Sequence, residues 1–437
     1  MSLSYFSKYF GLLCLLFVAC KSNDHPGETE NLVDVAYIVP VYETASQLSA
    51  RVSVDPAKDY AAAGKIITYQ NYIFINRPNE GIHVVDNSNP QQPINLHFIT
   101  LPGSLDMAVI DDHLYADMYS ALVVIDISEV TQPQIMEEFT VEDVFYYNPY
   151  ENFPEELDLS GYNHTRYEPI ENDRGIVTSW EIEIREEPIS EEELRYVTLE
   201  MTSDVLTVVD DGTDFNQTSS AGSMTRFLPI DRFLYTINFN ELILFEIDDN
   251  HQPNRFARLD TRTQAETLFQ LNDFLFVGST TGMLMYDVTS PANPEYLNSI
   301  DHFRSCDPVV ADEAYAYMTL RGGTNCFTQS NELQIIDIQN PAELSVVARQ
   351  VLYNPHGLAL WNEYLLVCDG AAGLKIINVS DRENPEIIAS ENIPFAYDII
   401  IDYPNAMIVG ESVLYQFDIS NLPEITQTAE LPLSANE

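Results

Sequence analysis

The feature that most constrains the fold of this chain is a short apolar phrase that closes on an acidic or amide residue and recurs along the sequence. Residues 121–126 are one copy, with five apolar residues followed by an aspartate. Seven copies close on Asp, Glu or Asn, at positions 86, 126, 246, 287, 337, 378 and 418. Four of the six steps between them are 40 or 41 residues. A period near 40 is typical of folds built from repeated small sheets.

The residues that flank each copy repeat as well. Upstream there is an apolar run, a polar turn and a second apolar run, as in residues 106–116, and downstream there is one more short strand, as in residues 134–139. Short apolar runs separated by turn residues indicate β-strands. Each unit therefore holds four strands, and seven units predict an all-β fold, a seven-bladed β-propeller over residues 64–434, because radial closure protects the sheet edges.

Two steps are longer, at 120 and 50 residues, so each contains an insertion. The long insertion covers residues 141–221, between blades two and three, and the short one covers residues 321–330. In a propeller both lie on the face from which the chain enters each inner strand, called the entry face below. A further match to the phrase, residues 205–210, lies too close to the next unit to form another blade.

The long insertion is acidic and rich in aromatic residues. Residues 176–183 alternate like a strand, for which residues 196–201 are a candidate hairpin partner. One interpretation is an arm that packs over its own propeller. The other is a binding arm whose exposed aromatic side chains hold a protein or glycan partner. The aromatic residues concerned are Phe145, Tyr146, Tyr147, Tyr150, Phe153, Tyr162, Tyr167 and Trp180.

The N-terminus indicates export. Lys8 precedes an apolar run over residues 9–19, which is too short for a transmembrane helix and fits a signal peptide over residues 1–19. Residues 17–20 resemble a bacterial lipobox, which would make Cys20 the lipidated first residue; the alternative is an ordinary signal peptide with an incidental cysteine. Lys21 after that cysteine favours, by the same resemblance, the outer membrane, with the protein exposed at the surface or facing the periplasm.

The residues after Cys20 divide into a tether and a small N-terminal unit. Residues 20–32 are polar and acidic and predict a flexible tether. Residues 33–63 then hold a strand over 33–41 and a short amphipathic helix over 44–52, capped by Thr44 or Ser46.

The charge balance narrows the choice of partners. The chain has 68 acidic and 20 basic residues, a formal net charge of −48. Such a field repels a phosphate backbone and excludes nucleic acid as a partner. It can hold divalent cations loosely, but no sequence pattern indicates a resident cofactor.

The cysteines predict one disulfide. Cys306 precedes the inner strand of blade five and Cys326 lies in the short insertion of the same blade, so their loops should be neighbours on the entry face. Disulfides persist in exported proteins, and we expect a Cys306–Cys326 bond. Cys368 lies in an apolar strand and is expected to be a buried free thiol.

Ionisable residues recur where the inner strands begin, near the mouth of the central channel. They could form a site for a small polar molecule or a cation, or they could be solvated or paired with one another. No Ser–His–Asp arrangement, zinc-ligand spacing or phosphate-binding glycine loop accompanies them, and residues 210–216 are calcium-like in composition only. The residues are Asp106, Arg226, Glu266, Asp307, His356 and Asp398.

The residue that closes each copy is interpreted as structural. It precedes a turn, where a short carboxylate can accept backbone N–H groups. Glu246 and Asn378 replace Asp in two copies, which fits an acceptor better than a catalytic acid.

Residues 122–126 and their six counterparts resemble the LVIVD repeat of bacterial surface-associated β-propellers, which are often lipoproteins. Residues 81–90 and 306–310 are also similar to lipoprotein members from Bacteroidota-type bacteria. The resemblance implies the fold and a cell-envelope location, but no activity. The sequence therefore favours a non-enzymatic, membrane-tethered binding or scaffold module that works through the entry face. The alternative is an extracytoplasmic hydrolase or lyase that uses the channel-mouth carboxylates with His356.

Overall fold

The computed structural model describes residues 32–58, 64–136, 144–145, 147, 164–171, 173–188, 222–301, 308–322 and 331–432. These residues begin with strand β1 (Leu32–Glu43) and helix α1 (Ala45–Ser49). The expected strand is confirmed, whereas the helix predicted over residues 44–52 ends at Ser49. Thr44 is its N-cap: the Thr44 hydroxyl accepts the Gln47 N–H and the Gln47 side chain accepts the Thr44 N–H. This reciprocal pair satisfies two backbone donors that the helix leaves open.

The first two units of the repeat form sheets 1 and 2. In both, consecutive strands pair antiparallel, and sheet 1 gains β2 as a fifth, outermost strand that the sequence did not predict. Sheet 1 consists of β2 (Ser53–Pro56), β3 (Ile66–Tyr69), β4 (Tyr72–Arg77), β5 (Gly81–Asp86) and β6 (Ile94–Thr100). Sheet 2 consists of β7 (Met107–Ile110), β8 (His113–Met118), β9 (Ala121–Asp126) and β10 (Gln134–Ile135).

The described part of the long insertion forms a separate three-stranded sheet, called the arm sheet, with the N-terminal strand in its centre. β1 pairs parallel with β11 (Thr165–Tyr167) and antiparallel with β12 (Ile176–Pro188). The register joins Leu32 to Pro188 and Glu43 to Ile176. The strand expected over residues 176–183 is therefore longer than predicted, and its described partner is β1. The predicted partner, residues 196–201, lies outside the described residues.

The remaining units form sheets 3 to 7, each with four strands in antiparallel order. Sheet 3 consists of β13 (Phe227–Ile230), β14 (Phe233–Asn238), β15 (Glu241–Ile247) and β16 (Pro253–Asp260). Sheet 4 consists of β17 (Ala265–Leu271), β18 (Phe274–Ser279), β19 (Gly282–Asp287) and β20 (Glu295–Asp301). Sheet 5 consists of β21 (Val309–Ala311), β22 (Tyr315–Leu320), β23 (Glu332–Asp337) and β24 (Ser345–Val351). Sheet 6 consists of β25 (Leu358–Trp361), β26 (Tyr364–Cys368), β27 (Leu374–Asn378) and β28 (Glu386–Glu391). Sheet 7 consists of β29 (Asp398–Asp402), β30 (Asn405–Val409), β31 (Val413–Asn421) and β32 (Glu424–Pro432).

Each sheet packs against the next through the alternating side chains of its strands. Successive residues of a strand point to opposite faces, so Phe74 of β4 packs towards sheet 2 while Ile73 packs towards sheet 7. The same division holds in β8, where Leu114 faces sheet 1 and Tyr115 faces sheet 3. Shared apolar clusters join sheets 3 to 4, 4 to 5, 5 to 6 and 6 to 7 as well. An all-β set of antiparallel sheets packed in this cycle is consistent with a β-propeller.

A β-bulge recurs at one position of the repeated phrase. In six sheets the pairing of the third and fourth strands shifts register between the fourth and fifth residues of the phrase, for example between Val84 and Val85. A bulge bends a strand and increases its local twist. The extra residue lies on the fourth strand, such as Leu96 opposite Val84 and Val85, so the outer strand bends at the same position in six sheets.

The structural interpretation of the closing residue is confirmed. Asp126 Oδ1 accepts the backbone N–H of Ser128 at 2.8 Å, and the equivalent bond is present after Asp86, Asp287, Asp337, Asn378 and Asp418. Glu246 is the exception, since it pairs with Arg232 at 3.0 Å. There Asp248 takes the turn role and accepts the N–H groups of Asn250 and Gln252.

Candidate functional site

The chain itself fills the space where the first strands of the sheets begin. A 3₁₀ turn, Gly222–Met224, leads from the long insertion into β13 and contacts the first strands of sheets 4, 5, 6 and 7. Ser223 and Met224 are buried, and the Ser223 hydroxyl accepts the Leu358 N–H at 2.9 Å. The mouth of the predicted channel is therefore occupied by residues that follow the insertion.

Four buried ionisable residues surround this turn: Lys65, Asp106, Asp117 and Asp398, called the entrance cluster below. Lys65 Nζ forms an ion pair with Asp106 and donates to the Thr225 hydroxyl. Burial lowers the pKa of Lys65 and raises that of Asp106, and in each case the charge of the partner opposes the effect. These residues join sheets 1, 2 and 3 where their first strands start.

Asp106 and Asp117 are also held by backbone donors. The two oxygens of Asp106 accept the N–H groups of Met107 and Arg226. Asp117 Oδ1 accepts the N–H groups of Leu105 and Asp106, at 2.7 and 2.9 Å. Burial raises the pKa of Asp117 to about 6, although these bonds and the nearby Arg226 charge lower it. The carboxylates therefore fix the backbone at the strand starts.

Asp398 lies at the start of the first strand of sheet 7, as Asp106 does in sheet 2. It is fully buried, its Oδ1 accepts the Ile399 N–H at 2.8 Å, and burial raises its pKa well above the usual value while the amides of Ile399, Met224 and Ser223 lower it. The carboxylate of Asp398 fits here only because residue 357 is glycine: a Cβ atom at Gly357 would lie 1.9 Å from Asp398 Oδ1.

His356 is buried beside a second carboxylate, Asp369. Its Nε2 lies 3.2 Å from Asn354 Nδ2, and Asp369 Oδ1 accepts the Asn354 N–H at 2.8 Å. Burial, followed by the Arg321 charge, lowers the pKa of His356 well below its usual value. The imidazole is therefore neutral near pH 7, and its ring lies edge-on to Tyr397, with centroids 5.3 Å apart.

The other predicted channel-mouth residues are less central. Arg226 and Glu266 are half-buried, and Glu266 lies at the register shift between Ala265 and Thr267 of β17. Asp307 lies outside the described residues. Of the two interpretations of this set, the geometry of Asp106 matches pairing with neighbouring protein groups. Asp398 Oδ2 and His356 Nδ1 are buried without a hydrogen-bond partner among the described residues.

Several other predicted features fall on undescribed residues, among them Cys20, Cys306, Cys326 and residues 205–216. Cys368 is buried and free, as expected. Within the described part of the chain, no group of three His, Cys, Asp or Glu residues is placed to hold a metal ion. The same part contains no helix that is long and apolar enough to cross a membrane.

The described aromatic residues of the insertion mostly pack inward. Phe145 and Trp180 are buried, and Tyr147 lies edge-on to Tyr119 of sheet 2, with centroids 5.1 Å apart. Tyr147 also donates to the Val177 carbonyl, which ties the arm sheet to sheet 2. Tyr167, with 56% of its surface exposed, points outward. This packing favours the interpretation of an arm laid over its own sheets.

An open groove runs along sheets 3 and 4 from the entry face towards the β19–β20 turn, called the side groove below. Its volume is about 540 Å³. Two loops form its rim at the entry face: the link from β16 to β17 and the turn from β18 to β19. Its floor comes from β19 and β20 and is lined by Leu284, Tyr286 and Tyr296, of which the two tyrosines lie at the end next to the β19–β20 turn. Hydroxyl and charged side chains surround that floor: Asp260, Thr261, Arg262, Thr263, Ser279, Thr281, Ser299 and Asp301.

Sequence reasoning missed Lys65 and the side groove for different reasons. Lys65 directly precedes β3, as Asp106 precedes β7 and Arg226 precedes β13, so its position in the repeat could have revealed it. The groove has no such signal. It combines loops and strand faces from two sheets, and neither loop carries a motif.

Comparisons with known proteins agree with this architecture. Residues 62–98, 104–141, 306–350 and 356–392 match the family model described as the LVIVD repeat. The chain therefore contains LVIVD repeats, and the matched segments cover sheets 2 and 6 and most of sheets 1 and 5. The other three copies of the phrase build the same four-stranded sheet in the structure.

Similar solved structures include a protein from Lactobacillus plantarum, with 8% identity, a TM-score of 0.52, and coverage of 85% of this chain and 96% of that chain. This likeness concerns the fold alone. The computationally designed protein Ika8 has 8% identity and a TM-score of 0.47, with coverage of 85% and 89%. No match was found among the curated proteins.

Proposed function

We propose that this chain is a seven-bladed β-propeller of the cell envelope that acts as a binding or scaffold module through its entry face. Seven antiparallel sheets of the same strand order, packed in a cycle in which sheet 7 meets sheet 1, support the blade number. The observation that carries the binding role is the side groove, a cavity with both apolar and polar walls whose two rim loops open at that face. Pockets of 300 to 1,000 Å³ with a few polar groups are typical ligand sites.

The hydrolase or lyase alternative would need these groups to be open to a substrate. Asp106 and Asp398 are fully buried, and His356 is 2% exposed. Asp106 is bound by Lys65 and by two backbone amides, so it is not positioned to exchange a proton with a substrate. Asp398 Oδ2 and His356 Nδ1 have no hydrogen-bond partner within the described part of the chain, but both atoms are buried.

The test of the binding role blocks the side groove without changing the fold. Ser299 lines the groove, and Ser299→Trp would fill it. Ser290→Trp is the matched control, because Ser290 is exposed in the β19–β20 turn on the opposite face. Thermal unfolding would be followed with a library of saccharides, peptides and amines, since a ligand at 100 times its Kd stabilises by about 2.7 kcal/mol.

We expect at least one compound class to stabilise the wild type and Ser290→Trp but not Ser299→Trp. If every stabilising compound acts equally on Ser299→Trp, the groove is not the binding surface. Equal unfolding midpoints of the two variants without ligand would show that both are folded.

The envelope location is proposed from the N-terminal sequence. Residues 20–32 would form a tether between a lipid on Cys20 and β1, which the structure places inside the arm sheet. Two or more acyl chains hold a protein stably on a membrane. Cys20→Ser, expressed in a bacterium with lipoprotein processing, should lose labelling by an alkynyl fatty acid and move from the membrane to the soluble fraction. Unchanged labelling would contradict lipidation at Cys20.

The Cys306–Cys326 disulfide also remains a proposal. Both residues lie outside the described residues; in the sequence, Cys306 precedes β21 and Cys326 lies between β22 and β23. Cys368 provides an internal reference, because burial raises the pKa of its thiol well above the usual value and protects it from alkylation in the folded state. Alkylation of the unreduced, denatured protein followed by mass spectrometry should label Cys368 and recover a 306–326 linked peptide. Labelling of Cys306 and Cys326 would refute the bond.

A further inference from the structure

The side groove has the chemistry of a carbohydrate site, and we propose that its ligand is a neutral saccharide that stacks on Tyr296. This inference depends on the proposed binding role of the groove and adds the class of ligand. Four observations support it: an exposed aromatic ring, a rim of hydroxyl groups, a rigid backbone around them, and a near-balanced set of charges.

Tyr296 supplies the stacking surface. It is 52% exposed at the floor of the groove. The ring of Tyr286 meets it edge-on, with centroids 5.7 Å apart and an interplanar angle of 76°. Such a contact fixes the orientation of an aromatic ring. A sugar ring has an apolar C–H face of similar size, so an aromatic ring held open to solvent is suited to it.

The rim offers many hydroxyl groups at short distances from one another. The hydroxyls of Thr263 and Thr281, one from each rim loop, lie 2.7 Å apart. The hydroxyls of Thr261 and Ser279 are buried and hold the loops: Thr261 donates to the Thr263 carbonyl, and Ser279 donates to the Gly282 carbonyl and accepts the Thr281 N–H at 3.3 Å. The partly exposed hydroxyls are those of Thr263, Thr281 and Ser299. A saccharide carries a dense set of groups that both donate and accept, which matches a rim of this kind.

The rim loops are held rigidly against the sheets. Gly282 has φ +154°, and a Cβ atom there would lie 2.2 Å from the Ile300 carbonyl oxygen, so the turn sits directly on β20. In the other loop Arg262 has φ 61°, and its N–H donates to Asp260 Oδ1 at 2.7 Å. A site whose groups are ordered before the ligand arrives loses less entropy on binding.

The charges disfavour an anionic ligand. Asp260, Arg262 and Asp301 line the groove, so two anions face one cation. The whole chain carries a net charge of −48, which opposes the approach of anions. Phosphorylated and uronic saccharides are therefore disfavoured. A cation is the competing ligand, because carboxylates and a tyrosine ring also attract amines.

The test compares two exposed tyrosines on the full-length protein. Tyr296→Ala removes the stacking ring, and Tyr353→Ala is the control, since Tyr353 is 64% exposed in the link from β24 to β25, outside the groove. The probes are neutral trisaccharides of glucose, mannose, xylose and N-acetylglucosamine, with spermidine and trilysine as cationic comparators. Affinities would be measured by isothermal titration calorimetry.

We expect at least one neutral trisaccharide to bind the wild type and Tyr353→Ala, and to lose about tenfold or more in affinity in Tyr296→Ala. Binding that is unchanged in Tyr296→Ala, or no binding of any neutral saccharide, would overturn the inference. If spermidine or trilysine alone binds, and Ser299→Trp abolishes that binding, the ligand class is wrong while the groove remains a binding site. If Ser299→Trp affects no ligand of any class, the binding role fails as well.

Discussion

The entrance cluster and the rim of the side groove lie on the same face and are both rich in polar side chains, yet they differ in what those side chains contact. In the entrance cluster, Lys65 is 2% exposed and its partner Asp106 is fully buried, and both bind protein atoms. In the side groove, Tyr296 is half-exposed and the hydroxyls of Thr263 and Thr281 border open space. The ionisable residues of the entrance cluster therefore have a structural role, and only the side groove leaves room for a ligand.

The difference has a topological cause. The 3₁₀ turn Gly222–Met224 brings a segment of chain to the point where the first strands start, so polar groups there must find partners within the protein. In the side groove, Arg262 of the link from β16 to β17 and Tyr296 of β20 remain exposed, whereas Thr261 is buried. Substitutions at four sites, with Asp126→Asn as a control, test this difference.

The largest effect is expected at Lys65. Lys65→Met would leave Asp106 buried without its counter-ion, and removal of one partner of a buried pair destabilises by about 3–5 kcal/mol. The double variant Lys65→Met/Asp106→Asn removes both charges and should recover at least half of that loss. Denaturant unfolding measures the loss of stability in Lys65→Met and its recovery in the double variant. A loss below about 1 kcal/mol for Lys65→Met would show that the pair does not hold the strand starts.

Asp117 should make stability depend on pH. Burial raises its pKa from 3.8 to about 6, so the folded state binds the proton more tightly than the unfolded chain. Its contribution is present below pH 3.8 and is lost as the pH rises through about 6. Asp117→Asn can keep both backbone bonds without the charge, and should be more stable than the wild type above pH 6 by about 3 kcal/mol, since one pKa unit is about 1.4 kcal/mol.

Asp126→Asn is the control for that pH series. The bond from Ser128 lowers the pKa of Asp126, so its contribution is present above the unfolded value and is lost on acidification. The difference in free energy of unfolding between variant and wild type, measured in urea, should therefore change with pH in opposite directions for the two variants. Parallel slopes would contradict the burial of Asp117.

Gly357→Ala tests the close approach of sheet 6 to Asp398. The added Cβ would meet the carboxylate at 1.9 Å, and overpacking of this kind costs about 1–3 kcal/mol. Because the clash involves one side chain, Gly357→Ala/Asp398→Ala should be less destabilised than the sum of the two single variants. Additive losses would place the strain elsewhere.

The smallest effect on stability is expected in the side groove. Tyr296→Ala removes a half-exposed ring, and surface substitutions change stability by less than about 0.5 kcal/mol. An unfolding midpoint close to that of the wild type would show that the groove is not part of the packing. A loss as large as that of Gly357→Ala would make Tyr296 structural.

The repeated phrase was sufficient to predict the sheets because each sheet is specified by residues that are close together in the sequence. In residues 121–126, alternating side chains fill the cores on both sides of sheet 2 and Asp126 closes the turn, so one short pattern encodes a strand, its packing and its end. Glu246 breaks the pattern, and Asp248, two residues later, supplies the missing acceptor. Such a shift is visible only once the strand is seen to extend to Ile247.

The features that escaped sequence reasoning are non-local. β1 pairs with a strand that begins at Ile176, and no local pattern fixes that register. The partners of the channel-mouth residues depend on where the 3₁₀ turn enters, which the sequence of the insertion does not reveal. The side groove depends on the space left between two loops. The positions of the ionisable residues were predictable, whereas their burial was not.

The most direct test of the central claim measures stability and trisaccharide affinity on the same two proteins, Lys65→Met/Asp106→Asn and Tyr296→Ala. We expect opposite results for the two proteins: the first variant has a lower unfolding midpoint and binds as the wild type does, while the second keeps its midpoint and loses about tenfold or more in affinity, equivalent to about 1.4 kcal/mol. Loss of binding in the folded entrance variant, with unchanged binding in Tyr296→Ala, would contradict it.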